Sequence, residues 1–314
     1  MSVAFSDVVI GVFYATFSLS PLILFACMGE IIAEKSGVAD LGIEGIMLMS
    51  AFVTFAIDIL ARSPWLGILA GLSVGVAMGA FYGYLAIGVY LDQIASGLSL
   101  YLFGLGFSYV LFVVLSNKYA GTFPNFINIG TIYIPGLSAL PIIGRVLFQQ
   151  NILVYAALAL VPCTAYFLKR TRIGLQIRAV GENPRAADTM GINVKRVRFE
   201  AILIGTFLAA LAGAYFEIGY LQTFQFDIIM GRGFVALVMV YFSNWNPYKA
   251  LVAALGFEAV NATQTEIVSL AGPSLQLSST LFNILPYVFV LALIPIMGRH
   301  ARAPKYMLVP YKKS

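Results

Sequence analysis

KRTRIGLQIRAVGENPRAADTMGINVKRVRF, Lys169 to Phe199, is the most polar run in the chain. It holds eight of the 19 Lys and Arg residues: Lys169, Arg170, Arg172, Arg178, Arg185, Lys195, Arg196 and Arg198. Only Glu182 and Asp188 oppose them. The sequence on either side is apolar enough to sit in lipid. The positive-inside bias places a basic loop between membrane spans in the cytoplasm. An all-α polytopic membrane protein is therefore expected.

One short helix inside this loop has its own start and stop signals. The Asn183 side chain can accept from the orphan N–H groups of a first turn. Pro184 at the first helical position loses nothing, because that N–H has no partner anyway. Arg185, Ala186, Ala187, Asp188, Thr189 and Met190 form the body, and Gly191 permits a left-handed stop. The two alanines leave a low surface that another protein can approach. Capping establishes a helix and leaves two roles open, a plain surface helix or a docking helix.

The 314 residues are 60% hydrophobic and 11% charged, with mean hydropathy +0.90. A soluble domain carries about 25% charged residues, so most of the mass belongs in a bilayer. The net charge of +5 follows from basic loops and tail, a topology signal rather than a nucleic-acid surface. Cys27 and Cys163 stand in apolar runs and are expected in the core. His300 is the only histidine, and the sequence has neither a C-x-x-C pair nor a phosphate-binding G-K-[ST] loop. No metal, cofactor or catalytic site is expected, and ATP would have to be handled by another chain. A cleavable signal peptide is not expected, because a basic n-region is lacking.

In chain order, Val8 to Met28 is long enough for a first span. Glu30, Glu34 and Lys35 then mark where the chain leaves or skims the membrane. Ser36 to Phe52 (SGVADLGIEGIMLMSAF) places Gly37, Gly42, Gly45 and the carboxylates Asp40 and Glu44 at the head of an apolar helix. Intramembrane carboxylates are costly and face a cavity or a partner. This head is either a polar hinge at the water boundary or a broken helix lining a path. Asp40 and Glu44, four apart, can share one helix face. Pro64 to Tyr90 carries Gly67, Gly71, Gly75, Gly79 and Gly83, a small-residue stripe for close packing. Ile94 to Leu115 spans again. Asn117 to Gln150, with Pro124, Pro135 and Pro141, is expected outside the cytoplasm and partly helical. Asn151 to Leu168 returns.

After the basic loop, Ala201 to Leu221 spans outward, with Glu217 near its end. A polar-aromatic bend from Gln222 to Asp227 includes Phe224. Gly231 to Pro247 (GRGFVALVMVYFSNWNP) has an apolar part too short to span alone, so a half-helix headed by Arg232 is expected. Arg232 could pair with Asp227 or Glu217. Ala250 to Thr265 and Leu281 to Met297 complete about eight spans, give or take one, some of them half-helices. Residues 299–314 form a basic tail, expected in the cytoplasm. Glycine-headed short segments in both halves, from Gly37 and from Gly231, suggest an internal repeat with a site between the halves. One transmembrane domain fills residues 1–314.

Three of these segments resemble one family. Thr171 to Val194 follows T-R-x-G-x-x-x-R-A-V-G-E-N-P-x-A-A-x-x-x-G-I-N-V, similar to the coupling loop of ABC-importer permeases of the branched-chain amino acid, ribose and nucleoside group. Ser36 to Ala51 is similar to S-G-x-x-N-L-G-I-E-G-M-M-L-M-G-A, with Asp40 where Asn is expected. Gly231 to Pro247 resembles G-R-G-x-x-A-L-A-x-V-x-F-G-x-W-N-P of nucleoside-type members, with Ser243 for a glycine. The tail APKYMLVPYKK also resembles their short permeases.

The resemblance implies a type II ABC-importer permease in a prokaryotic cytoplasmic membrane, forming half of a pore. It implies three partners: ATPase subunits, a second and non-identical permease, and an extracytoplasmic substrate-binding protein. Asn183, Pro184, Arg185, Ala186, Ala187, Asp188 and Gly191 would form the ATPase contact. Asp40, Glu44, Phe224 and Arg232, polar or aromatic groups in apolar context, are expected near the pathway. Nucleosides are the expected substrate, with riboflavin-like compounds or sugars as alternatives. The competing class is an ion-coupled secondary transporter using Asp40, Glu44 or Glu217 as coupling carboxylates. Such a transporter has no need of a capped helix in a basic loop.

Overall fold

The computed structural model describes residues 5–119, 121, 123, 129–133, 135–138, 140, 143–221, 223–271, 284–297 and 302–312. Pro124, Pro141, Gln222, His300 and part of the basic tail lie outside the described residues. The protein is built from helices. α1 (Phe5–Lys35) precedes a turn into α2 (Ile43–Ala61) and α3 (Pro64–Gly83), which ends in a π-helical turn, Tyr84–Gly88. α4 (Gln93–Lys118) leads to a short antiparallel pair, β1 (Thr131–Tyr133) and β2 (Gln149–Asn151), with α5 (Ile143–Phe148) just before β2. α6 (Ile152–Arg170), α7 (Arg172–Glu182), α8 (Pro184–Thr189) and α9 (Val194–Tyr215) follow, and α9 runs into a second π-helical turn, Phe216–Leu221. α10 (Arg232–Phe242), α11 (Pro247–Ala271) and α12 (Leu285–Met297) complete the described helices.

Among the described residues, six helical segments are long and apolar enough to cross a bilayer: Asp7–Lys35, Ile43–Ala61, Pro64–Gly88, Gln93–Lys118, Ile152–Arg170 and Val194–Leu221. α11 has 25 residues and matches them in length with a more polar sequence. The 11 residues of α10 make the expected half-helix. With α12, the expected count of about eight, half-helices included, is met.

α2 is the central element. It packs on α3, α4 and α9, while α1 packs on α6, α9, α10 and α11. Lipid tails supply no hydrophobic force between helices, so close approach through small residues must do that work. The glycine stripe of α3 does so. A methyl at Gly71 would collide with Ser50 and Thr54 of α2, at Gly75 with Ala210, and at Gly79 with Thr206 of α9. Gly213 of α9 likewise admits the Met47 carbonyl of α2, and Gly104 of α4 admits Gly45. α4 is peripheral, and Leu102, at 63% exposed, is one of several apolar side chains it turns outward.

Two boundaries differ from the sequence expectation. α1 does not end at Met28 but continues to Lys35, because Glu30 and Glu34 are buried against partners instead of marking the exit. Asp40 and Glu44 do not share a helix face: α2 starts only at Ile43, Gly37 takes φ 95°, and Asp40 stays in the turn. Of the cysteines, Cys27 is buried as expected, while Cys163 is exposed.

Candidate coupling surface and translocation pathway

The basic loop is more ordered than one capped helix. Thr171 caps α7 by accepting from Gly174 N–H at 3.0 Å. Asn183 ends α7 and caps α8, accepting from Ala186 N–H at 3.1 Å. Gly191, at φ 82°, stops α8, with Gly191 N–H on Asp188 O at 2.9 Å and Ile192 N–H on Ala187 O at 3.1 Å. Asn193 then caps α9 through Arg196 N–H. Three successive Asn or Thr caps turn the run into a helical hairpin.

The two alanines of α8 do not lie together on the surface. Pro184 and Ala187 are buried, and Ala187 belongs to the hydrophobic core. The outward face consists of Arg185, Ala186, Thr189 and Met190, and Met190 is 82% exposed. An apolar side chain that exposed on a loop bearing mostly cations is the feature that the motif alone did not single out.

This hairpin is tied to the membrane bundle. Gly181 sits where a methyl would collide with the Lys35 carbonyl at the end of α1. Tyr306 N–H donates to Gly181 O at 3.0 Å, and Leu308 N–H to Gly37 O at 3.1 Å. Arg198, buried in α9, donates to three carbonyls: Ser36 at 3.1 Å, Val309 at 2.9 Å and Tyr306 at 3.4 Å. The tail is thus a strap laid over the α1–α2 turn and the end of α7. Burial raises the Tyr311 phenol pKa first, and its hydrogen bond to Asp188 of α8 raises it further.

The expected pathway residues fall into three places. Glu44 and Arg232 meet at the head of α10. Both Glu44 oxygens accept backbone N–H groups, from Gly231 at 2.7 Å and Gly233 at 2.6 Å. The carboxylate occupies the positive end of a helix that has no side-chain cap of its own. Gly231 takes φ 76°, and a methyl at Gly233 would press on Glu44. Arg232 lies 5.2 Å over the Phe216 ring. Its ion-pair partner is neither Asp227 nor Glu217 but Glu258 of α11, at 4.0 Å. Burial raises the carboxyl pKa of Asp227, in the preceding bend.

Asp40 belongs elsewhere, at the basic end. It accepts from Gly42 N–H at 2.8 Å, and its own N–H lies 3.5 Å from Glu30 Oε2. Glu34, one helical turn beyond Glu30, accepts from Trp245 Nε1, and Tyr82 donates to Ala39 O. Phe224 is buried in an aromatic cluster with Phe52 and Phe112, at 5.4 and 5.2 Å. Sequence reasoning missed Glu258, Asn261, Trp245 and Arg198. Glu258 carried the same signal as Glu44, a carboxylate in an apolar run.

These features are a glycine-headed half-helix held at its head by the first turn of the central helix α2, and a helical hairpin strapped to the bundle. Residues 12–294 match the family described as the branched-chain amino acid transport system / permease component. The chain belongs to that family. It is 34% identical over 310 residues to the guanosine ABC transporter permease protein NupQ of Bacillus subtilis, covering 94% of this chain and 93% of the relative. It is 32% identical over 303 residues to the nucleoside ABC transporter permease protein NupC of Lactococcus lactis, covering 94% of each. The putative glucose ABC transporter permease protein TsgC13 of Haloferax volcanii is 35% identical over 263 residues, 83% of this chain and 79% of the relative. No solved structure matches the chain. Membership makes this chain a multi-pass membrane permease subunit of ABC transporters, a class whose membrane subunit is not catalytic.

Proposed function

We propose that this permease imports nucleosides as half of a two-permease pore driven by separate ATPase subunits. The carrying observation is similarity to the guanosine and nucleoside permeases over 94% of the chain. The α8 hairpin is the ATPase contact in this reading. Arg185, Ala186, Thr189 and Met190 face the ATPase. Asn183, Pro184, Ala187, Asp188 and Gly191 shape and seat the helix. Closure of two ATPases on ATP would push this hairpin, and its packing on Lys35, Gly37 and Arg198 would carry the push into α1, α2 and α9. Access then alternates because the two states differ in their affinity for nucleotide-bound ATPases. A second, non-identical permease completes the pore, and a substrate-binding protein delivers solute at the face opposite the basic hairpin and tail, which are cytoplasmic.

Within the pathway, Glu44 and Arg232 form the junction between the head of α2 and the half-helix α10, Phe224 closes the side toward the binding protein, and Asp40 stands at the cytoplasmic exit. A sugar is the second reading, favoured by the identity to the glucose-type relative. The experiment is uptake into proteoliposomes holding both permeases, the ATPases and the binding protein. ATP-dependent accumulation of guanosine, competed by other nucleosides and not by glucose, is the expected result. Glucose accumulation without nucleoside uptake would replace the substrate. Transport driven by an ion gradient without ATPase would return the carboxylates to a coupling role.

A further inference from the structure

The face of α11 that meets the α10 head carries a polar stripe. Phe257, Asn261, Gln264, Thr265 and Val268 recur at helical spacing and line one cavity of about 320 Å³, with Arg232 and Tyr287 opposite. Helical side chains at i, i+3, i+4 and i+7 share a face, so the stripe follows from sequence once the helix exists. A volume near 300 Å³ is at the small end for ligand pockets and holds one small solute.

Arg232, Glu258, Asn261 and Tyr287 have unspent hydrogen-bonding capacity. A guanidinium has five N–H donors. Among the described residues, Arg232 spends one hydrogen bond, on Ile229 O at 3.4 Å, besides the 4.0 Å ion pair with Glu258. Glu258 is fully buried, and its Oε1 has no hydrogen-bond partner among the described residues. Asn261 Nδ2 donates to the other oxygen of Glu258 at 3.0 Å, which leaves the Asn261 side-chain oxygen for another donor. The Tyr287 hydroxyl donates to Met230 O at 2.6 Å and keeps its lone pairs. Such groups in a membrane bundle are costly unless they serve a passing solute or a partner.

Charge decides what kind of solute. Arg232 and Glu258 cancel, and Glu44, held by the two N–H groups at the α10 head, keeps its negative charge just outside the cavity lining. The cavity is therefore polar with no surplus of positive charge. Phe257 and Val268 supply an apolar wall. We propose that this cavity is the intramembrane way-station for solute, with Asn261, Gln264 and Arg232 hydrogen-bonding a neutral solute that presents both donors and acceptors. A phosphorylated solute would bring negative charge to an Arg232 already paired with Glu258 and beside the Glu44 carboxylate, so nucleosides pass and nucleotides do not. The nucleoside identity rests on the proposed function above, whereas the cavity's role as solute site does not.

The test uses the fully assembled transporter in proteoliposomes, with Cys163→Ser to remove the exposed native thiol. Thr265→Cys in that background should react with a hydrophilic methanethiosulfonate reagent. Guanosine should slow that reaction about fivefold, and guanosine monophosphate should not. Asn261→Ala and Gln264→Ala should lower maximal guanosine uptake about tenfold, the effect of one lost hydrogen bond, and alter the ranking of nucleosides that differ at one donor or acceptor. ATPase activity of the assembly checks that these variants fold. If guanosine is transported but the introduced thiol is neither reactive nor protected, and the ranking is unchanged, the cavity proposal is overturned. Crosslinking of the introduced thiol to the second permease without any protection by guanosine would overturn it too, by making the stripe a closed subunit interface. If glucose rather than guanosine is transported and protects that thiol, the cavity stands and only the nucleoside reading falls.

Discussion

Glu44 shows how one side chain can define a junction. Its two oxygens take the N–H groups of Gly231 and Gly233, so the head of α10 is held to the first turn of α2. Charge-assisted hydrogen bonds of this kind contribute about 1.5–3 kcal/mol each. Glu44→Gln removes the charge and turns an amide NH2 toward an N–H donor. It should lower the thermal unfolding midpoint in detergent and reduce uptake while ATPase assembly persists. Unchanged uptake would remove Glu44 from the pathway. The sequence made Glu44 conspicuous as a carboxylate in an apolar run. It did not reveal the partner, 187 residues away, because backbone N–H groups leave no mark in side-chain identity.

At the scale of elements, two patterns were legible and a third was only half so. The four-residue glycine repeat of α3 predicts a packing stripe, and the structure lays it between α2 and α9. Gly79→Leu would drive a side chain into Thr206. Overpacking of this kind costs about 1–3 kcal/mol, so faster heat aggregation of the solubilised protein is expected, and an unaltered melting profile would contradict the packing. The caps of α8 were equally legible. Which face of α8 looks outward was not, because six helical residues can be rotated without altering the motif. Met190→Asp and Ala186→Arg should abolish co-purification of the ATPase and leave the permease folded. Ala187→Arg should instead damage the hairpin itself, since Ala187 is buried. ATPase retention by both surface variants would move the contact elsewhere.

Across the whole molecule, the tail, the basic hairpin and the α1–α2 turn behave as one assembly because Arg198 binds carbonyls from two of them. Arg198→Ala should release the strap and let trypsin, which needs a mobile backbone, cut after Lys305 and Lys312 much sooner than in the unmodified protein, read by mass spectrometry of the cleaved tail. Equal cleavage rates would mean that the strap is held without the guanidinium. Arg198 was counted in the sequence only as one more cation of the topology signal, and its burial reverses that role.

The sequence by itself determined the class of fold. Hydropathy fixes how many segments can leave water, basic residues mark one side, and caps and glycines set where helices stop. It also determined the family, through three motifs that each have a local reason to exist. Tertiary structure alone decided which carboxylate serves which end of the bundle: Asp40 holds its own turn, Glu44 caps α10, and Glu258 pairs with Arg232. The reason is physical. A buried charge must be compensated wherever it sits, but what compensates it is set by which helices meet, and in lipid that depends on close backbone packing. Periodicity records that a residue faces inward. It does not record what it faces.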